Sequence, residues 1–312
     1  FGIIDGTTAP GYVINNPGDA PPRIVLVGSS TTGTGIQVDT VSAPIISALS
    51  IVDFTGSGIF VATGSSAVVE RCWIGLNNGG FAAPNGFGIT LNGIGFVGAT
   101  GASPVAGQGN LFSGNTGAAI RLRAGSAGSE ISGNWIGLNT AGNGALPNGA
   151  GISGVGDNIA VGREGFGNII SGNDGLGISL LTSNSSLIEN IIGLPLFGIG
   201  TLPNTDGGVT LLGSSLTMTG NFISGNGDTG LTLVATTSVV SNNLIASNNG
   251  LGLDESGGGG NRIESNAIQF NSGGGADIGS GGTTVESNTF SDNELVELTI
   301  SSDSNLVISN TI

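Results

Sequence analysis

The chain has 312 residues, 61 of them Gly, and a formal net charge of −15 from 21 acidic and 6 basic residues, with no His and one Cys. That inventory excludes Ser-His-Asp and Cys-His nucleophiles, His-ligated metals and thiolate zinc. The acidic balance excludes a nucleic-acid partner, which needs a basic stripe, and no run reaches the ~18 apolar residues of a membrane span.

Residues 1–57 are the least regular stretch and hold Pro10, Pro17, Pro21, Pro22 and Pro44. Ile24–Val27 and Gly35–Val38 still read as strands, so this part is expected to form irregular early coils or a cap. Residues 58–226 alternate short repeats with repeats that carry a long insert. The inserts follow Trp73-Ile-Gly-Leu76, Trp135-Ile-Gly-Leu138 and Ile191-Ile-Gly-Leu194, and each closes on a Pro-Asn pair, at Asn85, Asn148 and Asn204. Recurring at every second coil, they should form a row on one side, either a docking ridge or a solvated decoration. Residues 227–312 are regular, and the last repeat stops part-way at Asn310-Thr-Ile312, which predicts an open C-terminal end.

The repeat itself is a column of Asn followed two residues on by Ile or Phe. The first column runs Cys72, Asn110, Asn134, Asn168, Asn190, Asn221, Asn243, Asn266, Asn288, Asn310, and its last four steps are 22 or 23 residues. The second runs Ile74, Phe112, Ile136, Ile170, Ile192, Ile223, Ile245, Ile268, Phe290, Ile312. A fixed period of this size is a solenoid signal, and the Gly, Asn, Ser and Thr content disfavours helix. Three short strands per period then give an all-β, single-stranded parallel β-helix of about 12 coils, roughly 55–65 Å long at ~4.8 Å per coil. The Ile column becomes an interior stack. The Asn column becomes a ladder at a turn, where amide donates to the next carbonyl and Asn tolerates the left-handed backbone.

A further strand in each coil starts at Gly and alternates, as in Gly88-Ile-Thr-Leu91, Gly177-Ile-Ser-Leu180, Gly230-Leu-Thr-Leu233 and Gly250-Leu-Gly-Leu253. Period two puts Ile89, Leu91, Ile178, Leu180, Leu231 and Leu233 inside and Thr90, Ser179 and Thr232 outside. Cys72, at a ladder position, reads as a small buried residue.

Polar chemistry is sparse. The densest group is Asp254, Glu255, Arg262, Glu264 and Glu286, in which Glu264 and Glu286 should stack on successive coils and either splay into water or hold a cation such as calcium. Asp292, Glu294 and Glu297 make a second acidic group. Gly257–Gly260 and Gly273–Gly275 lack the Asp spacing of calcium-binding glycine repeats. Arg121 and Arg123 share a strand face and would either pair with Glu130 or grip an acidic glycan. Trp73 and Trp135 share a column two coils apart and read as cover beneath the inserts before they read as sugar-stacking rings.

With ladder, Ile stack and inserts in place, the chain resembles the right-handed parallel β-helix repeat proteins of the pectate-lyase-like superfamily, above all large Gly/Asn-rich bacterial extracellular members. Ile4-Asp-Gly-Thr-Thr-Ala-Pro-Gly-Tyr12 is similar to the segment that opens many of them. The paired Asp motifs, His motif and Arg/calcium clusters of the enzymatic members have no counterpart here. The resemblance therefore implies a secreted bacterial, non-enzymatic structural protein, a self-assembling subunit of a surface fibre, stalk or layer, with no catalytic, cofactor-binding or metal residues assigned. The alternative is a polysaccharide-binding or polysaccharide-degrading module.

Overall fold

The structure is a computed structural model that describes residues 2–13, 17–18, 20–29, 33–102, 105 and 107–312. Short apolar runs punctuated by Gly, Asn and Ser give strands of two to seven residues, too short to pair within a coil and long enough to pair with the coil above and below. Every third strand therefore lies in the same sheet. Sheet A has twelve strands, from Ile3–Asp5 to Leu306–Ile308; sheet B has eleven, from Ile24–Val27 to Thr289–Ser291; sheet C has eleven, from Ile36–Val38 to Leu298–Ile300. All the strand pairings are parallel, as Ile223↔Ile245 and Ile245↔Ile268 in sheet B illustrate. Among the described residues the only helical element is a single 3-10 turn, Ala124–Ser126, so no helix is long and apolar enough to cross a membrane.

The interior is one apolar stack. Nine members of the Ile/Phe column, Ile74 to Phe290, are buried, while Ile312 at the last coil is exposed. Ile89, Leu91, Ile178, Leu180, Leu231 and Leu233 of sheet C join the same core. Each apolar residue thus rests on its equivalent about 4.8 Å away.

Two Asn ladders run the length of the cylinder where one was expected. At the turn from sheet A to sheet B, Asn110, Asn134, Asn168, Asn190, Asn221, Asn243, Asn266, Asn288 and Asn310 are joined Nδ2 to Oδ1 at 2.9–3.0 Å. At the turn from sheet B to sheet C, Asn85, Asn115, Asn148, Asn173, Asn204, Asn226, Asn248, Asn271 and Asn293 do the same at 2.8–3.1 Å. Glu297 closes the second ladder by accepting from Asn293 Nδ2. In the insert-bearing coils the second-ladder Asn is the one after Pro, so each insert leaves the turn and returns in register. Asn139, which follows Asn134 by five residues as Asn115 follows Asn110, is not a rung and instead holds the insert itself through Asn143.

The left-handed residue of these turns is not the ladder Asn, as expected, but the one before it. Arg71, Glu189, Asn242, Ser265, Ser287 and Ser309 all have φ between 55 and 57°. The turn is thereby split into one residue that bends and one that bonds.

The inserts are anchored at their bases and exposed at their tips, where Phe81, Phe197 and Ile199 face outward. Their Leu76, Leu138, Leu146, Leu196 and Leu202 fold back onto the outer column of sheet B, Trp73, Leu111, Trp135, Ile169 and Ile191, and make a second apolar cluster outside the cylinder. Pro17 and Gly18 complete the cover. Trp73 Nε1 donates to Pro17 O at 2.6 Å, and a Cβ on Gly18 would stand 2.5 Å from Trp135. Both tryptophans are accordingly buried, under loops and not beside a ligand groove.

Sheet C departs from its expected register at one strand. Leu253, not Leu251, pairs with Leu231, and the pairing slips after Thr232↔Asp254 to Val234↔Gly257. This bulge turns Glu255 into the core, fully buried, in a position that Ile278 occupies one coil later. Its carboxylate accepts from Asn261 Nδ2 at 2.6 Å, Thr283 Oγ1 at 3.1 Å, and the N–H and hydroxyl of Ser280. The buried polar group is tolerated there because four donors replace its water.

Candidate functional site

Three outer faces compete to be the working surface. That of sheet B is closed by the inserts over five of its strands, Trp73 to Ile191, and is apolar where it emerges on either side, at Val25 and Val27 and at Phe222. That of sheet A is charged but self-satisfied. Glu130 takes Arg163 at 2.8 Å, Glu70 takes Arg71 and Gln108, and Glu189 accepts from Gly165 N.

Glu264 and Glu286 do stack, as adjacent partners in sheet A. Arg262 holds both, through Nε to Glu264 at 2.5 Å and Nη2 to Glu286 at 3.2 Å. The hydrogen bond and then the charge of Glu264 raise the Arg262 pKa above its ordinary value. The guanidinium thus takes the place that the sequence left open for calcium. Among the described residues no group of three or more His, Cys, Asp or Glu is arranged to hold a metal.

The five residues read as one acidic group are dispersed by the fold: Arg262, Glu264 and Glu286 lie on sheet A, Asp254 lies outside sheet C, and Glu255 lies within the core. Glu297 is absorbed by the second ladder, apart from the exposed Asp292 and Glu294. Cys72 is fully buried at the head of the first ladder, its N–H donating to Asn110 Oδ1 at 2.9 Å. Burial pushes its thiol up to about 12. The native protein at pH 8 is therefore expected to give no reaction with a thiol reagent such as DTNB, and a full equivalent once unfolded in urea; prompt native labelling would contradict the buried placement.

Sheet C keeps an open face. One outward column follows the register Gln37, Phe60, Thr90, Arg121, Ser153, Ser179, Thr210, Thr232, Asp254, Asp277, Thr299. Beside it runs an apolar ridge, Val155, Leu181, Leu212 and Val234, of which Leu181 is 55% exposed. Arg123 heads that ridge, two residues beyond Arg121. Contrary to the expected surface pairing, neither arginine reaches Glu130, which Arg163 occupies. Arg121 lies over the Phe87 ring at 4.5 Å from its centroid, a cation–π contact that fixes the guanidinium while leaving its edge donors free. At the foot of Phe87 opens a groove of about 570 Å³ lined by Asp53, Thr55, Pro84, Gly86 and Thr116.

The sequence missed Asp277 as a partner of Asp254. They are 23 positions apart in the chain and direct neighbours in the sheet, Asp254↔Asp277. Ser301 Oγ donates to Asp277 Oδ1 at 3.2 Å. The signal that would have found the pair is the true register of Leu253.

Architecture and site together define a parallel β-helix with its accessible polar chemistry on one sheet face. The chain belongs to the right-handed β-helix family, whose model, described as a right handed beta helix region, matches residues 14–136 and 150–312; the unmatched stretch between them is the middle insert. Among solved structures, tailspike protein 3 of bacteriophage CBA120 is similar over 92% of this chain at 12% identity and TM-score 0.57. The Dettilon tailspike protein is similar over 99% at 13% identity and TM-score 0.54. The chain spans only 51% and 61% of those two proteins. Tailspike protein 2 of bacteriophage CBA120, solved as an enzymatically active domain, matches 91% of this chain and 43% of its own at 10% identity and TM-score 0.43. At these identities the likeness is one of fold. No curated protein matches the chain.

These matches correct two expectations. The two tailspike proteins whose fold the chain shares, tailspike protein 3 and the Dettilon protein, give no support to a subunit of a fibre, stalk or layer. The reading as a non-enzymatic self-assembling fibre subunit is overturned. It rested on the open end, on the row of inserts and on the missing Asp, His and Arg/calcium motifs; a carboxylate pair can arise from strand register without any of those motifs.

Proposed function

We propose that the chain is a polysaccharide-binding and polysaccharide-degrading β-helix module, working outside the cell, that lays an extended glycan along the outer face of sheet C. The observation that carries this reading is that the outward column of sheet C from Ser153 to Thr299 is polar in every coil and, among the described residues, only its Asp277 is bonded to another side chain. Hydroxyls recurring at ~4.8 Å offer donors and acceptors along a polymer, and the ridge from Val155 to Val234 offers an apolar strip to the C–H faces of sugar rings. A long shallow track suits a repeating chain better than a small ligand, which takes an enclosed pocket.

Asp254 and Asp277 supply the pair that glycosidic cleavage uses. One carboxyl protonates the leaving oxygen while the other attacks the anomeric carbon or activates water. Their carrier strands are about 4.8 Å apart, nearer the ~5–5.5 Å of retaining pairs than the wider inverting separation. The test is a polysaccharide array followed by reducing-end release on the retained polymers. Asp254→Asn and Asp277→Asn are each expected to lower release by about a hundredfold or more while retention persists. Absence of retention on every polysaccharide would reject the binding role, and unchanged release in both variants would remove these carboxylates from the chemistry.

A further inference from the structure

We infer that the glycan is acidic, and that Arg121 and Arg123 form the subsite that takes the carboxylate of a uronic-acid-type sugar; this rests on the polysaccharide reading above. The argument starts from the arginines. There are six, against 21 acidic residues, so every guanidinium has an abundance of carboxylates to choose from. Arg71, Arg163 and Arg262 each take one or two, and Arg23 Nε donates to Gly11 O at 3.1 Å. Only Arg121 and Arg123 have no carboxylate or carbonyl partner among the described residues, and they stand side by side on the one open face.

Their surroundings are arranged to keep them so. Period two along the strand Ala118–Leu122 and on to Arg123 sets the two on the same side, about 6.7 Å apart at the backbone. Phe87 supports Arg121 from beneath without consuming a single N–H donor. On the neighbouring strand Thr90 is buried against Ser57 Oγ at 2.7 Å, and Asn92, whose Nδ2 donates to Thr63 Oγ1 at 2.7 Å, accepts from neither guanidinium. Two planar forks with unused donors match a carboxylate, which accepts two parallel N–H bonds from one guanidinium.

The chain's overall negative charge does not forbid this. Asp254 and Asp277 lie five and six strands further along the same column, roughly 24 and 29 Å away, well beyond the ~8 Å Debye length at physiological salt. The groove lined by Asp53, Pro84, Gly86 and Thr116 lies at the turn that leads into the strand of Phe87, on the side away from Arg123. An acidic residue at Arg121 and Arg123, with its neighbours passing over the Phe87 edge into that groove, is the pose that the donors and the free space favour.

The test is affinity electrophoresis of the full chain through gels containing polygalacturonate, dextran sulfate or neutral dextran, together with the neutral polymers retained on the array. Wild type is expected to be retarded by polygalacturonate, more weakly as salt rises. Arg121→Gln, which keeps the packing on Phe87, and Arg123→Ala, at an exposed position, should each weaken that retardation roughly tenfold, as expected for losing a charge-assisted hydrogen-bond pair. Neither should change migration in dextran. Retardation by polygalacturonate that is indifferent to both substitutions overturns the subsite, as does binding only to neutral polymers, which would leave the polysaccharide reading standing. Equal or stronger loss on dextran sulfate overturns the carboxylate assignment in favour of a sulfate ester. No retention by any polymer overturns both.

Discussion

Asn190→Ala is expected to lower the free energy of unfolding by about 4 kcal/mol, far more than a typical substitution, because one side chain ties four buried groups together. Asn190 Oδ1 accepts from Asn168 N at 3.1 Å and Asn168 Nδ2 at 2.9 Å, while its own Nδ2 donates to Val161 O at 2.9 Å and Asn221 Oδ1 at 3.0 Å. Truncation leaves these groups at the centre of a dry turn with no route to water. Asn190→Asp keeps the shape but turns the donor into an acceptor facing two acceptors, so it should cost as much or more. Asn249→Ala, at an exposed neighbour of the second ladder whose amide makes one long 3.3 Å bond, should stay within about 0.5 kcal/mol. Urea midpoints by far-UV circular dichroism compare the three. A solenoid's stability is a sum of local terms, so hydrogen exchange should show the loss concentrated in the coils from Val161 to Asn221. An Asn190→Ala midpoint as small in effect as that of Asn249→Ala would show that the ladder is ornamental to stability.

The second large effect is at Glu255. Replacement by Ala removes the acceptor from Asn261, Ser280 and Thr283 at once and leaves a cavity, a combined loss of about 3–5 kcal/mol. Glu255→Leu is the informative companion, because it restores the apolar series of Leu211, Leu233 and Ile278 while still stranding the donors. If the donors dominate, Leu rescues little of the loss. If packing dominates, Leu matches or exceeds the native residue in denaturant midpoint, and the hydrogen-bonded reading of this carboxylate fails.

Both predictions concern features of different legibility. The first ladder and the Ile stack could be read directly, because their spacing is constant where the coil is minimal and the Ile keeps a fixed offset from Asn even when an insert follows. The second ladder could be read only in the coils without an insert, where its Asn follows the first by five residues, as at Asn168 and Asn173 or Asn243 and Asn248. An insert falls between the Ile and the second Asn, so that Asn115 follows Asn110 by five residues while Asn148 follows Asn134 by fourteen. Its position is set by where the loop returns, which is a tertiary fact. The burial of Glu255 was hidden for a similar reason: Gly250 and Gly252 offer two equally good alignments with Gly230, and only the pairing of Leu253 chooses between them. At the candidate site the hydroxyls of Ser179 and Thr232 were visible by alternation alone, whereas Thr90, expected outside with them, is buried against Ser57. The freedom of Arg121 was not, since it depends on Arg163 reaching Glu130 across a separation of 33 residues.

The division of labour at each corner, with one residue bending and the next one bonding, has a consequence for how such a chain changes over generations. A single added residue has to be absorbed inside its own coil, as the bulge at Glu255 absorbs the one that makes the step from Asn243 to Asn266 one longer than its neighbours, with the rungs on either side intact. Duplication of a full revolution, Asn243 to Ser265 for instance, needs no such adjustment, since each rung then faces an identical one. Heritable change in length is therefore either swallowed within one winding or made by entire windings that carry their surface pattern along.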